Sequence, residues 1–352
     1  MRIAFIGDLK SANTKSWLEG LKNQVDIEIH TWSLDTGTHG ESNIKRMFRF
    51  LFCLRSLKKW LKKINPDLLI GYRTTSYGFL AALSGFRPFV IAVQGETDLW
   101  PYTLYTLPMK RWFKRYAVKK ASMIHAWGAN MVPSLLEHGA KEDQILVMPR
   151  GIDLDGFSFS ERNFDNTVIK MIVTRSLFPE YHHETILKAM NILKKEGKKV
   201  ELVIVGDGTF KEVIYKLVEE CELTSEVTFM GSVSQNELSN LLYQSDFYIS
   251  TPETEGTSAS LFEAMACGCI PIVSDLPANR FWIEHGENGG LIPFNNAEYL
   301  ANFLGIFSQK KELLKKAALA NRKQVEMKAS RNRNMRIFVE RYQNLVSTNR
   351  NI

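Results

Sequence analysis

Apolar and polar positions alternate along this chain in two periods. Short apolar runs over 3–7, 25–30, 66–71, 89–93 and 123–126 read as strands, as do 168–174, 200–205, 227–230, 247–250 and 269–274. Between them, apolar residues recur at helical spacing: from about 15, over 44–64, 76–84, 132–138 and 184–195, up to about 222, over 235–244, and from 257. Strand, loop and helix in regular succession predict an α/β architecture. From 297 onward the chain reads as helical and highly charged, with a terminal helix over 337–346. No tandem repeat or low-complexity tract interrupts the pattern.

One stretch, 250–275, concentrates candidate chemistry. A strand ends at Ser250, and Pro252 to Gly256 form a loop, because Pro, Gly and clustered Thr break periodic structure. Leu261, Phe262 and Met265 make the buried stripe of the helix from Thr257; Gly268 stops it, and Cys269 to Ser274 form a continuous apolar run, as in a buried parallel strand. Glu255 precedes the helix and Glu263 lies on it, seven residues between them. Ala259 and Ser260 share the Glu263 face, so that face is small and polar. N–H groups near Thr257 and Ser258 favour an anion beyond the helix start. Glu263 lies roughly 7.5 Å further along the axis, at about 1.5 Å per residue. That matches the span from a pyrophosphate to its ribose diol, whose two hydroxyls suit a carboxylate acceptor. A solvated helix with a capping acid is the plainer alternative.

The stretch resembles the E-x7-E signature of glycosyltransferase family 4, the retaining enzymes of GT-B fold. Pro252, Glu255, Gly256, Glu263, Ala264, Met265, Ala266, Cys267, Gly268, Pro271 and Val273 fit it, with Pro252 one residue nearer to Glu255 and Pro271 one later than the commonest form. The resemblance implies two doubly wound Rossmann-like domains facing a central cleft. It places an acceptor-side domain at 1–158, a nucleotide-sugar domain at 159–330, and a C-terminal helix at 331–352 crossing back to the first. It also implies a UDP- or GDP-linked sugar donor, a glycan or lipid-linked acceptor, and no metal or other cofactor. Arg175 would sit on the donor pyrophosphate and Glu255 on the sugar near the reacting carbon; these are the catalytic candidates. Glu263, Gly256, Thr257 and Ser258 would hold the donor, with Gly231, Ser232 and Val233 at the base and Gly7 in the first loop. An ordinary turn accounts for Gly7 equally well.

The chain departs from the family pattern at several points. Gln94 stands where many members carry a His that reaches the transferred sugar, and one extra residue precedes Asp98. Gln hydrogen-bonds but does no acid–base work at neutral pH. Gln94 and Asp98 are therefore candidates for sugar or acceptor contact. The Lys expected after Arg175 is replaced by Tyr181-His182; His182 or His183 would substitute in part, though a solvated surface pair is the simpler expectation. Arg150 replaces an Asn in the segment resembling the link between domains, where Asp153 and Asp155 also make an Asp-x-Asp pattern; the surrounding residues favour the link over a metal site.

Composition adds bounds and one asymmetry. At 352 residues the chain accommodates two domains, and 45% hydrophobic with 24% charged residues is the balance of a soluble globular protein. No uncharged apolar run reaches membrane-span length, and the opening apolar run is too short for a signal peptide. Cys53, Cys221, Cys267 and Cys269 show neither disulfide nor zinc spacing, which suits a reducing cytoplasm. Residues 1–150 hold 22 basic against 12 acidic side chains; the remainder holds 23 against 26. The segment 44–64 is a basic amphipathic helix or pair of helices: eight Lys and Arg, no acid, and Phe50, Phe52 and Trp60 widening its apolar face. Lys110-Arg-Trp-Phe-Lys-Arg-Tyr116 repeats that character. An anionic membrane surface is one expected partner, with peripheral placement on the inner face of the plasma membrane; a core helix with a solvated basic side fits equally. No nucleic-acid-binding motif appears, so nucleic acid is not an expected partner. The expected function is sugar transfer in bacterial surface polysaccharide synthesis: lipopolysaccharide, O-antigen, capsule or exopolysaccharide. A GT-B-fold epimerase and a catalytically weakened relative are the alternatives.

Overall fold

Twelve strands lie among the residues described by the computed structural model, which are 1–34, 43–94, 107–159, 161–164 and 167–350. They form two separate six-stranded sheets, parallel throughout. By contacts the chain divides into one unit of Met1–Arg150 with the segment from Arg331 onward, and a second of Gly151–Ser330.

The first sheet contains β1 (Arg2–Ile6), β2 (Glu28–Trp32), β3 (Leu68–Tyr72), β4 (Phe89–Val93), β5 (Met123–Ala126) and β6 (Ile145–Val147), in the order β2-β1-β3-β4-β5-β6. β3, β4 and β5 are buried along their whole length, because helices cover both faces of a parallel sheet. β2 is an edge strand and reads as one, with Glu28, His30 and Thr31 among its five residues. It begins three residues later than the sequence suggests. Val25 is apolar but 80% exposed, and Asp26 takes φ +61° just before the strand starts. The terminal helix Arg331–Arg350 is longer than its apolar stripe. Met335, Phe338 and Tyr342 are wholly buried in the core of the first unit, with the Phe338 ring 4.0 Å from that of His125. Nearer the helix start, Asn334 donates to the Pro149 carbonyl at 2.9 Å.

The second sheet contains β7 (Ile169–Val173), β8 (Val200–Val205), β9 (Val227–Gly231), β10 (Phe247–Ser250), β11 (Ile270–Ser274) and β12 (Gly290–Ile292), in the order β12-β11-β10-β7-β8-β9. Alternate residues of one strand feed two cores. Ile169, Met171 and Val173 enter one cluster, and Ile172 joins Tyr248, Leu261, Phe262 and Met265 in the other.

Strand order fixes where each unit offers a crevice. Ligands of open α/β sheets bind at carboxyl ends of strands where the order reverses. That point lies between β1 and β3 in the first unit and between β7 and β10 in the second.

Candidate active site

In the second unit, Arg175 emerges two residues beyond β7, and the loop after β10 carries Glu255 to meet it. The Arg175 guanidinium pairs with the Glu255 carboxylate through Nη2 and donates from Nη1 to Ser258 Oγ at 3.0 Å. Its Cζ lies 4.5 Å from the Tyr181 ring centre. Both charged side chains are largely enclosed, 15% exposed for Arg175 and 7% for Glu255. Burial pushes the Glu255 carboxyl above its ordinary range, against the pull of Arg175 and Ser258. Burial works against the Arg175 charge as well, but Glu255 outweighs it and holds the guanidinium protonated.

The helix beside this pair runs Ala259–Ala266, starting two residues later than the sequence suggests. Ser258 is its N-cap: the hydroxyl accepts from Leu261 N–H at 3.4 Å. The same oxygen therefore caps a helix and receives the arginine. Gly256 and Thr257 are half-buried in the loop before the cap. The N–H groups of Ala259 and Ser260 lack intrahelical acceptors, as at any helix start. Ser260 Oγ donates to the Thr174 carbonyl at 3.3 Å, which turns the small polar face toward the end of β7. Glu263 is half-buried on that same face, three residues on.

Neighbouring loops fix the backbone of this cluster. Gly206 has φ +143° and a side chain there would meet the Arg175 carbonyl at 2.4 Å, so the turn after β8 lies directly against the residue bearing the guanidinium. Gly206 N–H donates to the Gly231 carbonyl at 2.8 Å. Gly231 has φ +65° with open space where a side chain would project, Ser232 is exposed, and Val233 packs on the core.

One expectation is corrected. His183 is not a solvated surface residue. It is 2% exposed, its Nε2 is bonded to the Ser176 carbonyl at 3.0 Å, and burial pulls its pKa below the usual value. It therefore stays neutral and supplies no second cation. His182 takes φ +48° and places Nδ1 3.3 Å from Glu184. Asp153 accepts from Asp155 N–H at 3.3 Å, so the Asp-x-Asp pattern closes a short helical turn. Cys267 and Cys269 are completely buried; burial pushes Cys269 up to about 12, and its thiol donates to the Leu242 carbonyl.

Gly7 and Gln94 belong to the first unit, and Asp98 lies outside the described residues. Gly7 is buried, and a Cβ there would sit 2.7 Å from the Phe5 ring and 3.0 Å from Tyr72 Cβ, so packing already requires glycine. Gln94 Oε1 accepts from the Tyr72 hydroxyl. Tyr181 and the double use of Ser258 were missed from the sequence, because both depend on loops distant along the chain meeting at one strand end.

Two family models match the chain: glycosyl transferase 4-like over residues 2–126 and glycosyl transferases group 1 over residues 156–324. A colanic acid biosynthesis glycosyltransferase, WcaL of Escherichia coli, is 29% identical over 50% of this chain and 45% of its own length. The amylovoran biosynthesis glycosyltransferase AmsK of Erwinia amylovora is 26% identical over 54% of this chain and 49% of its own. The chain thus spans about half the length of the curated relatives it matches. Sucrose-phosphate synthase of Thermosynechococcus elongatus shares the fold with a TM-score of 0.79 at 15% identity, over 99% of this chain and 100% of that one. Anabaena Alr3699/HepE, solved with UDP-glucose, gives 0.73 at 15% identity, over 97% and 99%. With one model on each α/β unit and that fold throughout, the chain belongs to the family 4-type glycosyltransferases of GT-B fold.

Proposed function

We propose that this protein transfers a sugar, with retention of configuration, from a nucleoside-diphosphate sugar to a glycan or lipid-linked acceptor in the synthesis of a bacterial surface polysaccharide. The observation that carries this reading is the Arg175–Glu255–Ser258 cluster at the β7/β10 reversal, beside the helix bearing Glu263. The names of WcaL and AmsK point to polysaccharide synthesis, and a UDP-sugar donor is favoured because Alr3699/HepE was solved with UDP-glucose.

In this reading the developing charge on the departing diphosphate falls on Arg175 and on the N–H groups at the start of the Ala259–Ala266 helix. Arg175 is already paired with Glu255, so donor binding exchanges one anion for another and frees the carboxylate to meet the sugar. Glu263 accepts from the ribose diol. Attack comes from the face of the leaving group, and the departing phosphate takes the acceptor's proton. No side chain of the cluster is then needed as a general base. Peripheral contact with anionic lipid would bring a lipid-linked acceptor within reach of the first unit.

One observation favours a second reading. Arg175 is the sole cation in this cluster among the described residues, and it is occupied. A relative that binds sugar nucleotides without efficient turnover would look the same. Thermal shift against UDP- and GDP-sugars, followed by kinetics with the best donor, separates the two. Glu263→Ala should weaken donor binding at least tenfold, while Arg175→Ala should lower kcat about a hundredfold. Donor binding without transfer to any glycan acceptor would leave the second reading standing, and unchanged kinetics in both variants would remove the site assignment.

A further inference from the structure

The first unit has its own strand-order reversal, between β1 and β3, and Arg73 stands at the end of β3. Its backbone takes φ +67°, a left-handed conformation that is strained for a non-glycine residue of this size. It opens a π-helical segment, Arg73–Tyr77, a form that is rare and tends to occur at functional sites. The Arg73 guanidinium carbon lies 5.8 Å from the Tyr72 ring centre, and no carboxylate among the described residues forms an ion pair with it. The charges acting on the Tyr72 hydroxyl are two cations, Arg73 and Arg150, and one anion, Asp8.

The adjacent strand adds a donor. Gln94 directly follows β4, which pairs with β3, and the Tyr72 hydroxyl donates to its amide oxygen. What Gln94 has left to offer is its NH2 group. Arg73 and Gln94 thus stand just past the ends of neighbouring strands, and the Arg73 guanidinium and the Gln94 NH2 are both donors only. Such a set suits a carboxylate or phosphate better than a neutral hydroxyl, which also has a proton to donate.

We propose that Arg73, with Gln94, binds an anionic group of the acceptor, a sugar carboxylate or a phosphate, at the strand ends of the first unit. Only the word acceptor rests on the functional reading above; the anion site itself is tested without it.

The test titrates the full chain with methyl glucuronide, glucose 6-phosphate and methyl glucoside, measuring binding by calorimetry. UDP-glucose binding is followed in parallel by thermal shift. At least one charged probe should bind ten times more tightly than methyl glucoside. Arg73→Asn, which keeps a residue tolerant of positive φ, should bring that preference to within twofold, and Arg73→Lys should keep part of it. Glu263→Ala should keep the preference and weaken UDP-glucose binding. Which charged probe prevails identifies carboxylate or phosphate. Charge-blind binding, or a preference that survives Arg73→Asn, overturns the proposal. If UDP-glucose fails to bind the unaltered chain while the preference follows Arg73, the functional reading falls and the anion site stands.

Discussion

His125 carries no catalytic assignment, yet it sets an acid limit on the first unit. It is completely buried, Nε2 meets the Met148 carbonyl at 2.9 Å, and Nδ1 has no hydrogen-bond partner among the described residues. Burial pulls its pKa down to about 4, with the carbonyl resisting. In the unfolded chain the same ring titrates near ~6.5. The native state therefore binds fewer protons between these values. Stability is fully present above about 6.5 and is lost as pH falls toward 4, by at most about 3 kcal/mol. Urea denaturation of His125→Gln, which keeps a donor for Met148, should show a shallower loss between pH 7 and 4.5 than the unaltered chain. Parallel curves would remove His125 as the cause. The sequence discloses this histidine only as one residue of an apolar strand. Its burial against Phe338 depends on a helix two hundred residues later.

At the scale of elements, turns hold the candidate site in place. The Gly206-Asp-Gly208 turn after β8 is legible as a turn, but its purpose is not. Gly206 is needed twice over, for φ +143° and for an approach that leaves no room beside the Arg175 carbonyl. Gly206→Ala should cost about 1–3 kcal/mol through backbone strain and weaken UDP-sugar binding by displacing Arg175. Gly197 is the control: it has φ +77° but open space where a Cβ would project, so Gly197→Ala should destabilise mildly and leave binding intact. Equal donor affinity in both variants would show that this turn does not position the arginine. The helix after β10 makes the same point. Leu261, Phe262 and Met265 announced its buried stripe, but Ser258 as cap, and the start at Ala259, came from hydrogen bonds that periodicity does not report.

Across the whole molecule the net positive charge is confined to the first half of the sequence. Arg55, Lys58, Lys59, Lys62 and Lys63 are exposed on the helix Asn43–Ile64, and Phe52 beside them is 75% exposed. On the helix Leu107–Lys120, Trp112 is 56% exposed and flanked by exposed Arg111 and Arg115. Lys110 departs from the expected basic surface: it is buried, and Lys114 is tied to Ser134 Oγ at 2.6 Å. If these exposed residues meet anionic headgroups, as proposed above, each cation near the surface contributes about 1 kcal/mol. No helix among the described residues is long and apolar enough to cross a membrane. On that proposal, co-sedimentation should detect salt-sensitive binding to vesicles containing phosphatidylglycerol and little to neutral ones. Replacing Lys58, Lys59, Lys62 and Lys63 by Ser should cut it at least tenfold. Binding indifferent to lipid charge would reduce this face to a solvated helix surface.

The sequence by itself determined the succession of strands and helices, the family motif and the uneven charge, because each is a local or compositional property of the chain. Only the tertiary structure decided that Arg175 is held by Glu255, that His183 is buried and neutral, and that the Tyr72 hydroxyl meets Gln94. Those facts depend on which strand ends become neighbours. Strand order is set by crossovers between segments far apart in sequence, which no local pattern encodes.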